Sequence, residues 1–107
     1  MGMIGLAENL GLTVEEFSEL LEIYRQTTNS DLDELRAAFK AGDAGKIHEK
    51  AHSIKGSSGN LGFKELYELA REIDDNARTN SLDGLEDIIR NFSKKYKEVV
   101  EDLTQDG

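Results

Sequence analysis

The sequence predicts an all-α protein, an antiparallel up-down four-helix bundle with one additional N-terminal helix. Apolar residues recur at intervals of three and four along most of the 107 residues, and no segment shows the sustained alternation of a strand. Proline is absent, so nothing forces a break inside a helix. The stretches between the apolar patterns are short, which makes successive helices antiparallel neighbours.

The first predicted helix begins at a capping box, with Thr13 at the N-cap and Glu16 three positions later. Its expected buried residues are Val14, Phe17, Leu20, Leu21 and Tyr24. The polar residues 27–30 are expected to end this helix and to cap a second, which runs to about Ala41 and has Gly42 at its C-terminal cap. The expected buried residues of the second helix are Leu32, Leu35, Ala38 and Phe39.

Three further helices follow. Asp43 can cap the third, and Gly62 is expected at its far end. The buried stripe of this helix consists of Ala44, Ile47, Ala51, Ile54, Ser58 and Leu61. A fourth helix, 63–78, is expected to bury Phe63, Leu66, Tyr67, Ala70, Ile73 and Ala77. Asn80 or Ser81 is expected to cap a fifth helix of about six turns. Its apolar positions are Leu82, Leu85, Ile88, Ile89, Phe92, Tyr96, Val99, Val100 and Leu103.

Length and charge restrict the functions open to the chain. The 107 residues suit one domain with a core at about 13–103 and loose ends at 1–12 and 104–107. A net charge of −9 argues against nucleic acid or an anionic membrane as partner. The chain has no cysteine and only two histidines, so neither a thiolate nor a histidine-rich metal site is expected. The apolar runs are too short to span a bilayer and no signal-peptide pattern opens the chain, so we expect a cytoplasmic protein. We expect a monomer because the apolar stripes are used inside one bundle.

The segment 46–64 differs from its surroundings, because it holds four lysines against one glutamate and is rich in glycine. At about 100° per residue, His52 lies roughly 135° from the centre of the buried stripe and should face solvent. Lys55 lies within one turn of His52 on this face, and Gly56 and Gly59 follow one and two turns later. Glycine destabilises a helix interior, so we interpret these glycines as clearing space for a partner beside the imidazole.

The sequence HSIKGSSGNLG at 52–62 closely resembles the phosphoacceptor motif of histidine-containing phosphotransfer (HPt) domains. The resemblance extends to AGD at 41–43, to LARE at 69–72 and to the helix order over about 13–103. The segment HSIKG followed by Gly62 and Phe63 is also similar to the amino-terminal phosphotransfer domain of chemotaxis-type histidine kinases.

This resemblance implies a phosphorelay intermediate without an ATP site of its own. His52 would accept the phosphoryl group on its distal nitrogen, and Lys55 would stabilise the phosphoryl oxygens. Gly56 and Gly59 would leave room for the receiver domain of a response regulator, which contributes the aspartyl phosphate and Mg²⁺. The chain would need no cofactor of its own, and its partners would be a sensor histidine kinase and a response regulator.

Two alternatives stay open at this stage: the phosphotransfer domain of a chemotaxis-type kinase, and a helical adaptor without chemistry. His48 lies one turn before His52 without an evident third metal ligand, so we interpret it as a surface residue that can contact the partner, as can Lys64. Some relatives orient the imidazole through a side chain of the next helix. Four residues there are candidates, but each is expected to be an ordinary solvated residue: Glu68, Arg71, Asp74 and Asp75.

Overall fold

A computed structural model describes residues 2–105, which fold into five helices without a strand. Their bounds are α1 Met3–Asn9, α2 Val14–Ala41, α3 Ala44–Asn60, α4 Lys64–Arg78 and α5 Leu85–Gln105. Helix α2 packs on α3, α3 on α4 and α4 on α5, while α5 also touches α2 and closes the bundle. The predicted fold, a four-helix bundle with an additional N-terminal helix, is confirmed, although the elements divide the chain differently.

Helix α2 is one helix of 28 residues where the sequence analysis predicted two. The capping box of Thr13 and Glu16 does start it, and Gly42 ends it in a left-handed conformation. The expected break at 27–30 is wrong because the helix is continuous there: Thr28 faces the core, Asn29 accepts a 2.8 Å hydrogen bond from the Tyr96 hydroxyl of α5, and Thr27 and Ser30 are exposed. Thr28 is buried, and the carboxylate of Asp31 accepts a 2.8 Å hydrogen bond from the Ser53 hydroxyl of α3.

The N-terminal segment 1–12, expected to be loose, contains helix α1. Leu6 and Ala7 are buried in the common core, and α1 packs against α2. Since α1 takes the position of the additional helix, the predicted first two helices become one member of the bundle. The other predicted loose end, 104–107, begins inside α5, and residues 106 and 107 lie outside the described part of the chain.

Two residues predicted to be buried on α2, Val14 and Leu20, are exposed. The hydroxyl of Tyr24 forms a 2.8 Å hydrogen bond with that of Ser58, which is in the last turn of α3. Phe17 and Leu21, on either side of Leu20 in the sequence, are buried, so Leu20 lies at the edge of the buried stripe, and Val14 is the first residue of the helix. The stripe was therefore predicted in the correct direction but drawn too wide.

The α3–α4 hairpin forms the centre of the core. Ile47, Ala51 and Ile54 of α3 are buried against Leu66 and Ile73 of α4 and the other core residues. Gly62, as predicted, follows the end of α3, and its φ of +81° is a left-handed conformation that favours glycine. This tight turn brings the two helices back side by side, so that side chains of α4 lie beside the exposed face of α3.

Helix α5 begins at Leu85, later than the predicted cap at Asn80 or Ser81. Asn80 has a φ of +61°, and its amide donates to Ala77, so it terminates α4 instead of capping α5. Leu82 still packs against the core from the turn before Gly84. Within residues 2–105, none of the helices combines the length and apolar character needed to cross a bilayer.

Candidate functional site

His52 stands on the outer face of α3 with 68% of its side chain exposed, which confirms the solvent-facing orientation predicted from helical spacing. Its neighbours Ala51 and Ile54 point into the core. The helix is anchored through these residues, so the imidazole is presented from a rigid element and not from a loop.

A buried carboxylate of α4 lies beside this exposed ring. The side chain of Asp74 is only 1% exposed, and its two oxygens contact different partners. Oδ1 is hydrogen-bonded to Nδ1 of His48. Oδ2 accepts a 3.2 Å hydrogen bond from the Lys55 ammonium and lies 3.6 Å from Nδ1 of His52. The three basic side chains of one helix face therefore meet at one acid from the next helix.

The partners of Asp74 keep it ionised. Burial by itself would raise the pKa of this carboxyl, but the hydrogen bonds from His48 and Lys55 and their charges outweigh burial and lower the pKa below its ordinary value of 3.8. A fixed negative charge thus persists next to His52 at neutral pH. It favours the tautomer of His52 that carries its proton on Nδ1 and leaves the lone pair on Nε2.

Replacing Asp74 by asparagine should lower the free energy of unfolding by about 1–3 kcal/mol at neutral pH, because charge-assisted hydrogen bonds to a buried acceptor are lost. Since the pKa is lower in the folded state, the stabilisation is present above about pH 4, the unfolded pKa, and disappears as the pH falls through the folded pKa. Urea unfolding of both proteins across pH 2–7 measures this. The exposed Asp75→Asn is the control and should change stability by less than about 0.5 kcal/mol; an equal loss in both variants at pH 7 contradicts the assignment.

The expectation that Asp74 is an ordinary solvated residue is wrong, and the sequence contained a signal for its burial. Asp74 lies four residues after Ala70, three before Ala77 and next to Ile73, all of which were predicted to be buried. An acid on the edge of an apolar stripe needs partners, and they come from α3. For Glu68, Arg71 and Asp75 the expected exposure is confirmed.

The two glycines of the motif have different surroundings. A Cβ atom placed on Gly56 meets nothing within 4 Å among the described residues, so the surface one turn beyond His52 is open. A Cβ on Gly59 would lie 3.2 Å from the ring of Tyr67 on α4. The interpretation that both glycines only clear the outer surface therefore needs correction, because Gly59 also makes room for an aromatic ring of the same chain.

The remaining predicted site residues separate into two groups. His48 is brought into the site, but as a hydrogen-bond partner of Asp74 and not as a free surface histidine. Lys64 opens α4, ten residues before Asp74 and hence about 15 Å away along the helix axis, so it is not part of this cluster. Within residues 2–105, no group of three potential ligands is arranged to hold a metal ion.

The structure thus combines an antiparallel helical bundle with an exposed histidine that lies beside a lysine and a buried acid. The Hpt domain family model matches residues 19–106. The chain belongs to the Hpt domain family, whose members are phosphotransfer proteins of phosphorelays that pass phosphoryl groups between kinases and response regulators.

The chain is also similar to a solved structure, histidine-containing phosphotransfer protein B (HptB) of Pseudomonas aeruginosa PAO1. The TM-score is 0.86 and the sequence identity 29%, over 94% of this chain and 88% of that chain. No curated protein sequence matches the chain significantly. The predicted family and the predicted phosphorelay function are thereby confirmed, whereas the roles of individual residues stay predictions.

Proposed function

We propose that His52 is the residue of this phosphotransfer protein that carries the phosphoryl group, and that Nε2 is the reacting atom. The observation that carries the proposal is the position of the ring: it is exposed, and its other nitrogen, Nδ1, is the one beside the Asp74 carboxylate. The remaining histidine, His48, has its Nδ1 engaged by the same acid and is less exposed.

In the proposed reaction, the lone pair of Nε2 attacks the phosphorus of a receiver aspartyl phosphate. A nitrogen–phosphorus bond forms, the bond between phosphorus and the carboxylate oxygen breaks, and its electrons return to the receiver aspartate. The imidazole becomes a cation with its proton on Nδ1, 3.6 Å from the Asp74 oxygen, so the developing charge is stabilised by a fixed anion. The reverse transfer passes through the same arrangement.

Lys55 would stabilise the negative charge of the transferred phosphoryl group. One of its three N–H donors is engaged by Asp74, at 3.2 Å, and the others remain for oxygens of the transferred group. The side chain is 22% exposed, so the ammonium sits at the edge of the site and not in bulk water. Mg²⁺ would be contributed by the receiver domain, with no cofactor held by this chain.

The receiver would dock over the α2 and α3 surface that adjoins His52. Gly56 has no side chain that would protrude from this surface, and Ile23 of α2 is 60% exposed. Ile23 lies about 80° around α2 and about 12 Å along it from Asp31, which contacts Ser53 of α3, so it would border this surface toward the C-terminal end of α3. A contact around an exposed isoleucine and a cleared glycine suits a transient protein partner. His48 would border this surface, whereas Lys64 would contact only a partner that extends along α4.

We also propose that the chain works as a cytoplasmic monomer. Most of its apolar side chains are used within one core, and its net charge of −9 disfavours nucleic acid as a partner.

Incubation of the protein with a receiver domain phosphorylated on aspartate tests the proposal. The expected product is a phosphate on this chain that is labile in acid and stable in alkali, located at His52 by mass spectrometry. Transfer back to unphosphorylated receiver should follow on dilution into excess receiver. A stable label found on His48 or on a serine would refute the assignment of His52.

A further inference from the structure

The Asp74 carboxylate is shared between two histidines that lie one helical turn apart. His48 and His52 are both on the outer face of α3, with ring centroids 6.0 Å apart. Each directs Nδ1 to the acid, but to different oxygens: His48 to Oδ1 and His52 to Oδ2. His48 does not reach the proposed reacting atom, so any effect of His48 on transfer would act through Asp74.

We propose that His48 is a positioning residue for phosphoryl transfer at His52, because its hydrogen bond to Oδ1 fixes the Asp74 carboxylate with Oδ2 facing Lys55 and His52. The inference rests on the proposed role of His52 and adds a residue that the HPt motif at 52–62 does not contain. The motif supplies the histidine and the lysine, and the turn that precedes it supplies the third contact.

The burial of Asp74 makes this contact necessary. A carboxylate with two oxygens removed from water needs a donor at each, and an unpaired buried oxygen is costly. Lys55 occupies Oδ2, and only His48 among the described residues is hydrogen-bonded to Oδ1. Without that bond, the carboxylate would be free to turn until Lys55 is shared by both oxygens, which draws Oδ2 away from His52.

Loss of the hydrogen bond between His48 and Asp74 would change the tautomer of His52. A carboxylate held near Nδ1 keeps the ring proton on that atom, so the Nε2 lone pair is available for attack. A carboxylate that has turned away no longer selects this tautomer or balances the charge that the ring gains in transfer. For histidines that bind a metal, loss of the outer hydrogen-bond partner costs about 10–100-fold, and we expect a loss at the lower end of this range here.

The test compares His48→Leu with His48→Asn. Asparagine places its amide nitrogen near the position of Nδ1 and can still donate to Oδ1, whereas leucine fills space without a donor. Phosphorylation by phosphoramidate, a small donor that needs no docking surface, isolates the chemistry from partner binding. We expect His48→Leu to react about tenfold more slowly and His48→Asn to stay within about twofold of the unaltered protein.

Nitrogen-15 NMR of the folded proteins supplies a readout that a merely structural role would not move. The His52 signals should show less of the Nδ1-protonated tautomer in His48→Leu and the original proportion in His48→Asn. In an Asp74→Asn background, His48→Leu should have no further effect on the rate, because the residue through which it acts has been changed.

The possible failures are distinguishable. If the unaltered protein is not phosphorylated on His52, the proposed function fails. If His52 is phosphorylated but His48→Leu reacts at the original rate with an unchanged tautomer, the positioning role is refuted and the proposed function stands. Equal slowing in His48→Leu and His48→Asn would also refute the role of the hydrogen bond.

Discussion

His52→Gln is expected to abolish phosphorylation by a phosphorylated receiver, with no label above background. The amide nitrogen of glutamine is not nucleophilic, because its lone pair is delocalised into the carbonyl group, so the side chain can occupy the same space without forming the nitrogen–phosphorus bond. Because the His52 side chain is 68% exposed, the substitution should change the free energy of unfolding by less than about 0.5 kcal/mol. Label transfer and urea unfolding on the same preparation measure both quantities.

The matched control is His48→Asn, which alters the other histidine of the described chain and keeps its donor to Asp74. It should be labelled to the same final extent as the unaltered protein. Full labelling of His52→Gln would show that another residue accepts the group. Loss of label together with loss of folding in His52→Gln would contradict the exposed position of this ring.

Gly56→Gln is expected to raise the free energy of unfolding and to lower the rate of phosphoryl transfer from the receiver. In the folded chain a Cβ atom at this position meets no described atom within 4 Å, so we expect the helix to gain about 0.5–1 kcal/mol through the loss of glycine. The same side chain would stand where the receiver approaches His52. A misplacement of about 1 Å in the reacting atoms costs about 100-fold, and we expect a fall of this order in the transfer rate.

Phosphoramidate again distinguishes access from chemistry, since this small donor should label Gly56→Gln at the original rate. Gly5→Gln is the control, because Gly5 is also a helical glycine with open space around it. It belongs to α1, and its neighbour Leu6 lies beside Gly62, past the C-terminal end of α3 and away from His52. It should transfer normally. Unimpaired transfer from receiver to Gly56→Gln would remove this surface from the docking proposal.

Helical spacing was sufficient to predict the fold and the exposure of His52, since both depend on which side of a helix is apolar. It was insufficient at residues 27–30 of α2. Polar side chains such as those of Thr27 and Ser30 occur both at helix caps and in the middle of long helices. The choice depends on whether a neighbouring helix supplies partners, as Ser53 does for Asp31. That partner is distant in the sequence, so local preferences could not decide.

The site was predicted as far as it lies on one helix. His52, Lys55 and Gly56 share the outer face of α3, which their spacing alone indicates. Asp74 and Tyr67 enter from α4, and their contacts depend on the register between α3 and α4 that the turn at Gly62 sets. Periodicity gives the direction of a side chain but not the height at which two helices meet, so the acid and the packing at Gly59 were missed.

The division of the site between two helices also limits what a short peptide can reproduce. A synthetic peptide of residues 44–60, or the same sequence placed in an unrelated helix, would contain the two histidines and Lys55. It would not contain Asp74, the acid that all three contact. It would also lack the apolar neighbours that exclude water from that acid. The segment HSIKG therefore indicates the family but does not by itself reproduce the site. The smallest fragment that contains all the side chains of the site is the hairpin of α3 and α4, which needs the rest of the core for support.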